Sequence, residues 1–329
     1  MSPHPGLAEI ERARTALAGR VRHTPARHSP RLSERLGVPV VLKHEHEQHT
    51  GAFKLRGATN ALANLSDAER ARGVVTVSTG NHGRALAHAA REAGVRCVVA
   101  MSRLVPKNKL EAIAALGAEI AIRGASQDEA QEEVDRRVAD EGLVEIPPFD
   151  HPDVIAGQGT LGLEILDDVP DLAQVLIPLS GGGLAAGVAA AVKAKRPRAR
   201  VVGISMERGA AMHASLSAGR PVLVEEAESL ADSLGGGIGL ANRHTLAMLR
   251  DLMDEVVLLG EDEIAAGMAF CHVAEGVVVE GGGAVGPAAI LAGRIRPIGP
   301  TVALLTGANV DPAQHARIVS DPAILERLA

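Results

Sequence analysis

Three short segments of the chain carry residue types that could bind a small molecule and act on it chemically. In the first, 50–57, Lys54 lies between Phe53 and Leu55, directly after a glycine turn. A lysine amine among apolar neighbours can act as a nucleophile or a base once its charge is suppressed. Most lysines are solvated, so Lys54 alone favours the simpler interpretation of an exposed residue at a helix start.

The second segment, 78–83, reads Ser-Thr-Gly-Asn-His-Gly and lies between a predicted strand and a predicted helix. Backbone N–H groups at such a helix start, together with the helix dipole, attract an anion such as a substrate carboxylate. A plain strand-to-helix turn capped by Asn81 explains the same residues, and both interpretations stay open here.

The third segment, 180–187, contains three consecutive glycines after a predicted strand and before a predicted helix. Glycines let the backbone wrap closely around a phosphate. The segment is no Walker loop, since no Gly-Lys-Ser/Thr follows, and it matches the dinucleotide GxGxxG only loosely because Ala186 replaces the third glycine. A purely structural turn is the alternative.

The elements that would position these segments alternate between strands and helices. Strands are predicted at 38–42, 74–77, 97–101, 119–122, 174–179, 201–204, 255–259 and 301–305. Helices are predicted at 84–93, 107–116, 127–140 and 184–194. This alternation is typical of βαβ units and a parallel sheet. Boundaries are predicted near 49–51 and at the paired prolines within 145–150.

Composition narrows the function further. The 329 residues carry a net charge of −6 and include three Phe but no Tyr or Trp, which argues against nucleic-acid binding. The longest uncharged stretch, 172–192, is interrupted by proline and glycines, so we interpret it as a buried strand, a loop and a helix rather than a membrane span. The absence of an apolar leader and the two distant cysteines predict a cytoplasmic protein.

A lysine, a carboxylate-binding turn and a phosphate-binding turn are together the parts that pyridoxal phosphate chemistry needs. In this order they resemble the fold-type II pyridoxal-phosphate enzymes of the serine/threonine dehydratase and serine racemase family. The resemblance runs from 22–25 to 306–311 and includes 154–160. It implies an α/β fold with two parallel-sheet domains and the cofactor in the cleft between them. The large domain would comprise 1–50 plus 148–329 and the small domain 51–147, and a homodimer is expected.

The resemblance also implies roles for single residues. Lys54 would hold pyridoxal 5'-phosphate as a Schiff base and act as the catalytic base. The other cofactor-binding residues would be Phe53, Asn81, Ser180, Gly181, Gly182, Gly183, Leu184, Glu280 and Thr306. The substrate-binding residues would be Ser78, Thr79, Asn81, His82 and Gly236. A Thr306 hydroxyl beside the pyridine nitrogen, where other enzymes use a carboxylate, would favour elimination over transamination.

Some positions depart from the family pattern. Ala52 replaces the serine before Phe-Lys. Thr79 stands where racemases use a serine as second acid/base, so Thr79 is a candidate catalytic residue but racemisation is less expected. Ser205 and Ala211 stand where racemase-like members bind a divalent cation, so no metal is predicted there. The glycines of 235–239, among them Gly236, suggest a roomier substrate pocket or a flexible loop.

Several segments resemble the hydroxyectoine-utilization dehydratases in particular. They are 53–60, 78–87, 101–106, 203–212 and 234–240. The predicted reaction is therefore dehydration and deamination of a β-hydroxy α-amino acid, derived from hydroxyectoine and carrying a further amino group. An L-threonine or L-serine ammonia-lyase and a serine-type racemase are the alternatives. A β-replacement enzyme and a nicotinamide-binding or non-catalytic protein remain more distant ones. The chain ends soon after Asp311, so no appended regulatory domain is expected.

One further segment, 43–49, is rich in metal-ligating residue types. On a strand, His44 and His46 would point to the same face. Nothing else in the segment supplies a tetrahedral set, so metal binding is not the favoured interpretation.

Overall fold

The computed structural model describes residues 4–78, 80–105 and 107–328. The strands in these ranges are β1 Ala26–His28, β2 Val40–Lys43, β3 Val74–Val77, β4 Cys97–Met101, β5 Glu119–Ile122, β6 Val144–Glu145, β7 Gln174–Pro178, β8 Arg200–Met206, β9 Glu255–Leu259 and β10 Thr301–Leu304. The helices are α1 Leu7–Leu17, α2 Pro30–Leu36, α3 Lys54–Ala63, α4 Asp67–Arg72, α5 Asn81–Ala93, α6 Lys107–Ala114, α7 Gln127–Glu141, α8 Pro152–Asp168, α9 Gly183–Lys195, α10 Ala211–Ala218, α11 Thr245–Leu252, α12 Glu261–Val273, α13 Gly281–Leu291, α14 Pro312–Val319 and α15 Pro322–Leu325. No helix of the described residues has the length and apolar content needed to span a bilayer.

The strands of the described residues form two sheets. The larger has the order β1-β2-β10-β7-β8-β9 and the smaller the order β5-β4-β3-β6. All neighbours are parallel except β1, which pairs antiparallel with β2 at the edge of the larger sheet. The predicted α/β fold with parallel sheets is confirmed, and β1 corrects it in one detail: a short antiparallel edge strand was not predicted.

Most predicted elements are present with small shifts at their ends. The predicted strands 74–77, 97–101, 119–122 and 255–259 have these bounds in the structure. The predicted strand 38–42 begins two residues later and runs over Val40–Lys43. Segment 43–49 is not a strand throughout, because Glu45–Glu47 form a turn of 3-10 helix. The strand condition for a common face of His44 and His46 is therefore not met, although the two rings lie together with centroids 5.1 Å apart.

Helix α8 is a long buried helix that the sequence pattern did not predict. The glycines of α8 have low intrinsic helix propensity, so the sequence pattern does not indicate a helix there. The structure explains them by close packing, because a Cβ at Gly157 would lie 2.6 Å from the Arg56 carbonyl oxygen and a Cβ at Gly159 would lie 2.7 Å from Ile10 Cδ1. On the facing helix α9, a Cβ at Gly187 would lie 2.6 Å from the Gly159 nitrogen. Small residues thus let α3, α8 and α9 approach backbone to backbone.

The start of α3 is fixed by charges that lie inside the protein. The Arg56 guanidinium is fully buried and donates to Glu45 at 2.7 and 2.8 Å and to Glu164 at 2.7 and 2.9 Å. The equally buried Lys43 Nζ lies 3.1 Å from Glu164 Oε2 and 2.7 Å from Asp168 Oδ2. Burial acts to lower the pKa of Arg56, but the carboxylates outweigh it and raise that pKa, so the guanidinium stays charged. This cluster joins β2, α3 and α8.

We predict that Arg56→Met strongly destabilises the protein. The substitution keeps much of the side-chain volume but leaves Glu45 and Glu164 buried without their partner, which typically costs about 3–5 kcal/mol. Urea unfolding followed by far-ultraviolet circular dichroism measures the free energy of unfolding. The matched control is Arg14→Met, which removes an exposed ion pair of 2.9 Å to Asp167 on the same helix α8 and should cost less than about 1 kcal/mol. Equal losses for the two variants would contradict the prediction.

Candidate active site

Lys54 is the first residue of α3 and reaches into the cleft between the two sheets. Its Nζ donates a hydrogen bond of 2.7 Å to the Pro148 carbonyl oxygen and lies 5.4 Å from the centre of the Phe53 ring. Desolvation lowers the pKa of the amine to about 8, although the nearby Glu280 carboxylate acts in the opposite direction. About a tenth of the Lys54 amine is therefore neutral at pH 7, far more than for a solvated lysine, and the neutral amine is the nucleophilic and basic form.

The lysine loop is held against the end of β10. The Phe53 N–H donates to the Thr306 carbonyl oxygen at 3.1 Å, and Ala52 forms an isolated antiparallel bridge with Gly307. The Thr306 side chain is buried, with Oγ1 3.5 Å from the Gly282 carbonyl oxygen. These contacts place Phe53, Lys54 and Thr306 on one side of the cleft.

The turn between β3 and α5 brings polar groups to the same place. Ser78 Oγ accepts from the N–H groups of Gly80 and Gly83, at 3.3 and 3.0 Å. The buried His82 ring has its Nε2 2.8 Å from the Ile146 carbonyl oxygen. Burial and the positive charge of Lys54 lower the pKa of His82 to about 3, so the ring is neutral and its Nε2 is the protonated donor. Thr79 lies outside the described residues, so its predicted role stays a prediction from the sequence.

The glycine turn between β7 and α9 has the form of an anion cradle. Gly182 has φ +91°, and a Cβ at Gly183 would lie 2.9 Å from Phe149 backbone atoms, so the turn needs glycine at both positions. Within the described part of the chain, the N–H groups of Ser180, Gly181, Gly182, Gly183 and Leu184 have no acceptor. Unpaired N–H groups at a helix start, reinforced by the helix dipole, are suited to a phosphate.

Glu280 precedes α13 and faces the small sheet across the cleft. Its carboxylate accepts from Asn81 Nδ2 at 2.7 Å and from the Asn309 N–H at 3.1 Å. Burial and the neighbouring Asp232 raise the pKa of Glu280, while hydrogen bonds from Ser233 and Asn81 act to lower it. Glu280 thus joins the two sides of the cleft through Asn81.

Among the residues that the structure describes, the predicted site residues come together except for Gly236. Gly236 is partly exposed in the loop after the 3-10 turn Asp232–Leu234, and the atom nearest to a Cβ at this position would be Glu226 Oε1 at 3.8 Å. Its substrate contact stays a prediction. Sequence reasoning missed the Pro148 carbonyl and Asn309. Asn309 belongs to the family-like segment 306–311, so that segment was the signal that could have identified it.

The histidine-rich segment forms a compact group outside the cleft. His44, His46 and Glu47 each offer one potential metal-ligand atom within 4.8 Å of the others. The Arg27 guanidinium already occupies this position, with Nη1 2.6 Å from Glu47 Oε1 and 3.2 Å from His44 Nδ1. A cation would have to displace this positive charge, so we interpret the group as an ion pair.

The cleft as a whole fits pyridoxal phosphate, because it combines a partly neutral lysine amine with an unpaired phosphate cradle. The family model described as "Pyridoxal-phosphate dependent enzyme" matches residues 17–307. A Sinorhizobium fredii protein provisionally described as a threonine dehydratase is 56% identical over 315 residues, covering 95% of each chain. L-threonine ammonia-lyase of Geobacter sulfurreducens is 40% identical and covers 92% of this chain and 75% of its own.

The solved structures agree with these sequence comparisons. Maize serine racemase superposes with a TM-score of 0.90 at 31% identity, covering 95% of this chain and 96% of the racemase chain. The fold, the family model and the relatives thus point to one enzyme class. The chain belongs to the pyridoxal-phosphate dependent enzymes of fold-type II and is a lyase similar to threonine dehydratases.

Proposed function

We propose that the protein removes water from a β-hydroxy α-amino acid and releases a 2-oxo acid and ammonia. The observation that carries this proposal is the Lys54 amine, whose pKa is lowered to about 8 at the junction of an anion cradle and a second helix start. Elimination needs a base that can take the α-proton and a site that holds the substrate carboxylate. The sequence-predicted domain division, 51–147 against 1–50 plus 148–329, is part of the same proposal.

The cofactor is held, in this proposal, by residues from three elements. The amides of 180–184 would bind the phosphate, Lys54 would hold the aldehyde carbon, and Phe53 would lie beside the ring. Asn81 would face the ring hydroxyl and Thr306 the ring nitrogen. Because Thr306 offers a neutral hydroxyl, it does not hold a charged ring nitrogen as a carboxylate would, which favours elimination over transamination.

The chain's own groups then act on the substrate. Bound pyridoxal phosphate withdraws electrons from the α-carbon of the amino acid and makes its proton acidic. Backbone N–H groups between Ser78 and His82 bind the carboxylate and orient the α-C–H bond towards Lys54. The Lys54 amine, released by the substrate amine, takes the α-proton, and its lowered pKa suits this role. Water leaves from the β-carbon, and hydrolysis of the resulting enamine gives the 2-oxo acid and ammonia.

The substrate within this class is the finer part of the proposal. The resemblance of five segments to hydroxyectoine-utilization dehydratases supports a hydroxylated diamino acid derived from hydroxyectoine. The relatives, one named L-threonine ammonia-lyase and one provisionally a threonine dehydratase, support L-threonine or L-serine instead. The likeness to maize serine racemase keeps racemisation, with Thr79 as second acid/base, as an activity to be tested.

We predict that Lys54→Ala abolishes turnover and the visible absorption band of the cofactor, because no amine remains to bind the aldehyde. Spectra of the purified variant and ammonia release from L-threonine check this. Lys193→Ala is the matched control, since Lys193 is an outer lysine of α9 paired with Asp254 at 2.7 Å. An active, coloured Lys54→Ala protein would contradict the proposal.

We also predict a pH dependence for cofactor capture by cofactor-free protein. Only the neutral amine adds to an aldehyde, and the pKa of Lys54 is about 8. The capture rate should therefore rise about tenfold per pH unit between pH 6 and 7 and level off above pH 8. Stopped-flow absorbance from pH 6 to 10 measures it. A rise that continues to pH 10 would mean that the amine titrates like a solvated lysine.

A substrate panel decides the finer question. We expect 2-oxo acid and ammonia from β-hydroxy amino acids and no product from their deoxy analogues, which have no β-hydroxyl to lose. The panel contains L-threonine, L-serine and a hydroxylated diamino acid, and kcat/KM is compared among them. Preference for the diamino acid supports the hydroxyectoine assignment, and preference for threonine replaces it. Chiral analysis of unreacted serine measures racemisation in the same samples.

A further inference from the structure

A chain of polar side chains crosses the cleft beside Asn81. Arg84 lies one turn after Asn81 on α5, and its Nη1 donates to Asn309 Oδ1 at 3.1 Å. Asn309 Nδ2 donates to Asn81 Oδ1 at 2.5 Å and to the Thr50 carbonyl oxygen at 3.0 Å. Asn81 Nδ2 in turn donates to Glu280 Oε1 at 2.7 Å. The chain therefore runs from a guanidinium to a carboxylate through two amides.

The guanidinium end gives this chain a fixed direction. A guanidinium can only donate, so the Asn309 atom beside Arg84 must be the oxygen. The Asn309 nitrogen then donates its two hydrogens to the Thr50 carbonyl oxygen and to Asn81, so the Asn81 atom that it meets must also be an oxygen. The Asn81 nitrogen is thereby directed to Glu280, in agreement with its hydrogen bond of 2.7 Å to Glu280 Oε1. Each amide orientation thus follows from its neighbours, and turning either amide would lose several hydrogen bonds at once.

The second hydrogen of Asn81 Nδ2 is not used in this chain of hydrogen bonds. Among the described residues it has no acceptor, and the Asn81 side chain is only partly buried at the cleft. We propose that Asn309, oriented by Arg84, is a positioning residue that makes Asn81 present a donor, not a carbonyl oxygen, to the cofactor's ring hydroxyl. A donor at that place favours the ionised form of the hydroxyl. This inference rests on the proposed cofactor arrangement and assigns Asn309 and Arg84 a function in it.

The decisive variant is Asn309→Asp, which keeps the shape and reverses the polarity. The introduced carboxylate can still accept from Arg84, but it can no longer donate to Asn81. Asn81 then lies between the carboxylates of position 309 and Glu280 with only one amide nitrogen, so its oxygen must face one of them without a hydrogen bond. We expect about tenfold weaker binding of pyridoxal phosphate to the cofactor-free variant, the equivalent of one lost charge-assisted hydrogen bond. Part of the visible absorbance should move to the near ultraviolet, which reports a protonated ring hydroxyl.

A double-mutant comparison separates positioning from simple structural support. If Asn309 acts through Asn81, Asn309→Ala should weaken cofactor binding in the unaltered chain but hardly at all in the Asn81→Ala background. Arg84→Gln should give a smaller effect in the same direction. Asn64→Ala is the matched control. Asn64 also makes a side-chain hydrogen bond between two elements, because its Nδ2, at the end of α3, donates to Asp153 Oδ1 of α8 at 2.7 Å, but this contact lies on the exposed surface. Asn64→Ala should leave cofactor affinity and the absorption spectrum unchanged.

Thermal midpoints of the cofactor-free proteins complete the test. Variants at position 309 that lower the midpoint but leave cofactor affinity and the visible band unchanged would overturn the proposal, as would additive effects of Asn309→Ala and Asn81→Ala. A failure of the proposed function looks different, since the unaltered chain would then bind no pyridoxal phosphate and show no visible band.

Discussion

The buried charge of Arg56 is the constraint on which the active site depends. A guanidinium removed from water is stable only if carboxylates surround it, and Glu45 and Glu164 do so from two directions. Arg56 follows Lys54 by two residues on the same first turn of α3. Satisfying the guanidinium therefore fixes the rotation and depth of this turn, and with them the place of the Lys54 amine. The ionic cluster around Arg56 thereby determines where the Lys54 amine lies.

The parallel sheets supply the second part of the arrangement. Strands that run in the same direction end at the same edge, so the turns after the neighbouring strands β7 and β10 of the larger sheet lie side by side. The turn after β3, in the smaller sheet, is joined to them by the hydrogen bonds of Asn81 to Glu280 and Asn309. Helices α5 and α9 begin at these turns and direct their N-terminal dipoles towards the cleft. In the proposed site, a dianionic phosphate and a carboxylate would then be held largely by backbone groups. The few side chains present remain available to set polarity and to move a proton.

Sequence patterns predicted what is encoded locally. Short apolar runs located β3, β4, β5 and β9, and the order of three motifs identified the cofactor family. Helix α8 was missed because its glycines, needed for contact with α3 and α9, look like helix breakers in isolation. The turn Glu45–Glu47 was missed because it also depends on a contact with a distant residue. Glu45 is buried by its hydrogen bonds with Arg56, eleven residues later in the chain.

The network around Asn309 shows why a site can be predicted by residue and still be incomplete. Asn81 and Glu280 were identified singly, but their relation depends on Asn309 and Arg84, which come from opposite sides of the cleft. No local pattern encodes the orientation of an amide. Here it follows from Arg84, which can only donate, and from the hydrogen bonds that each amide then makes with its neighbours. The proposed reaction therefore rests on buried contacts that determine each other, whereas the glycines of 235–239 have few neighbours. Substitutions in that loop are accordingly the ones we expect to change substrate preference without changing the chemistry.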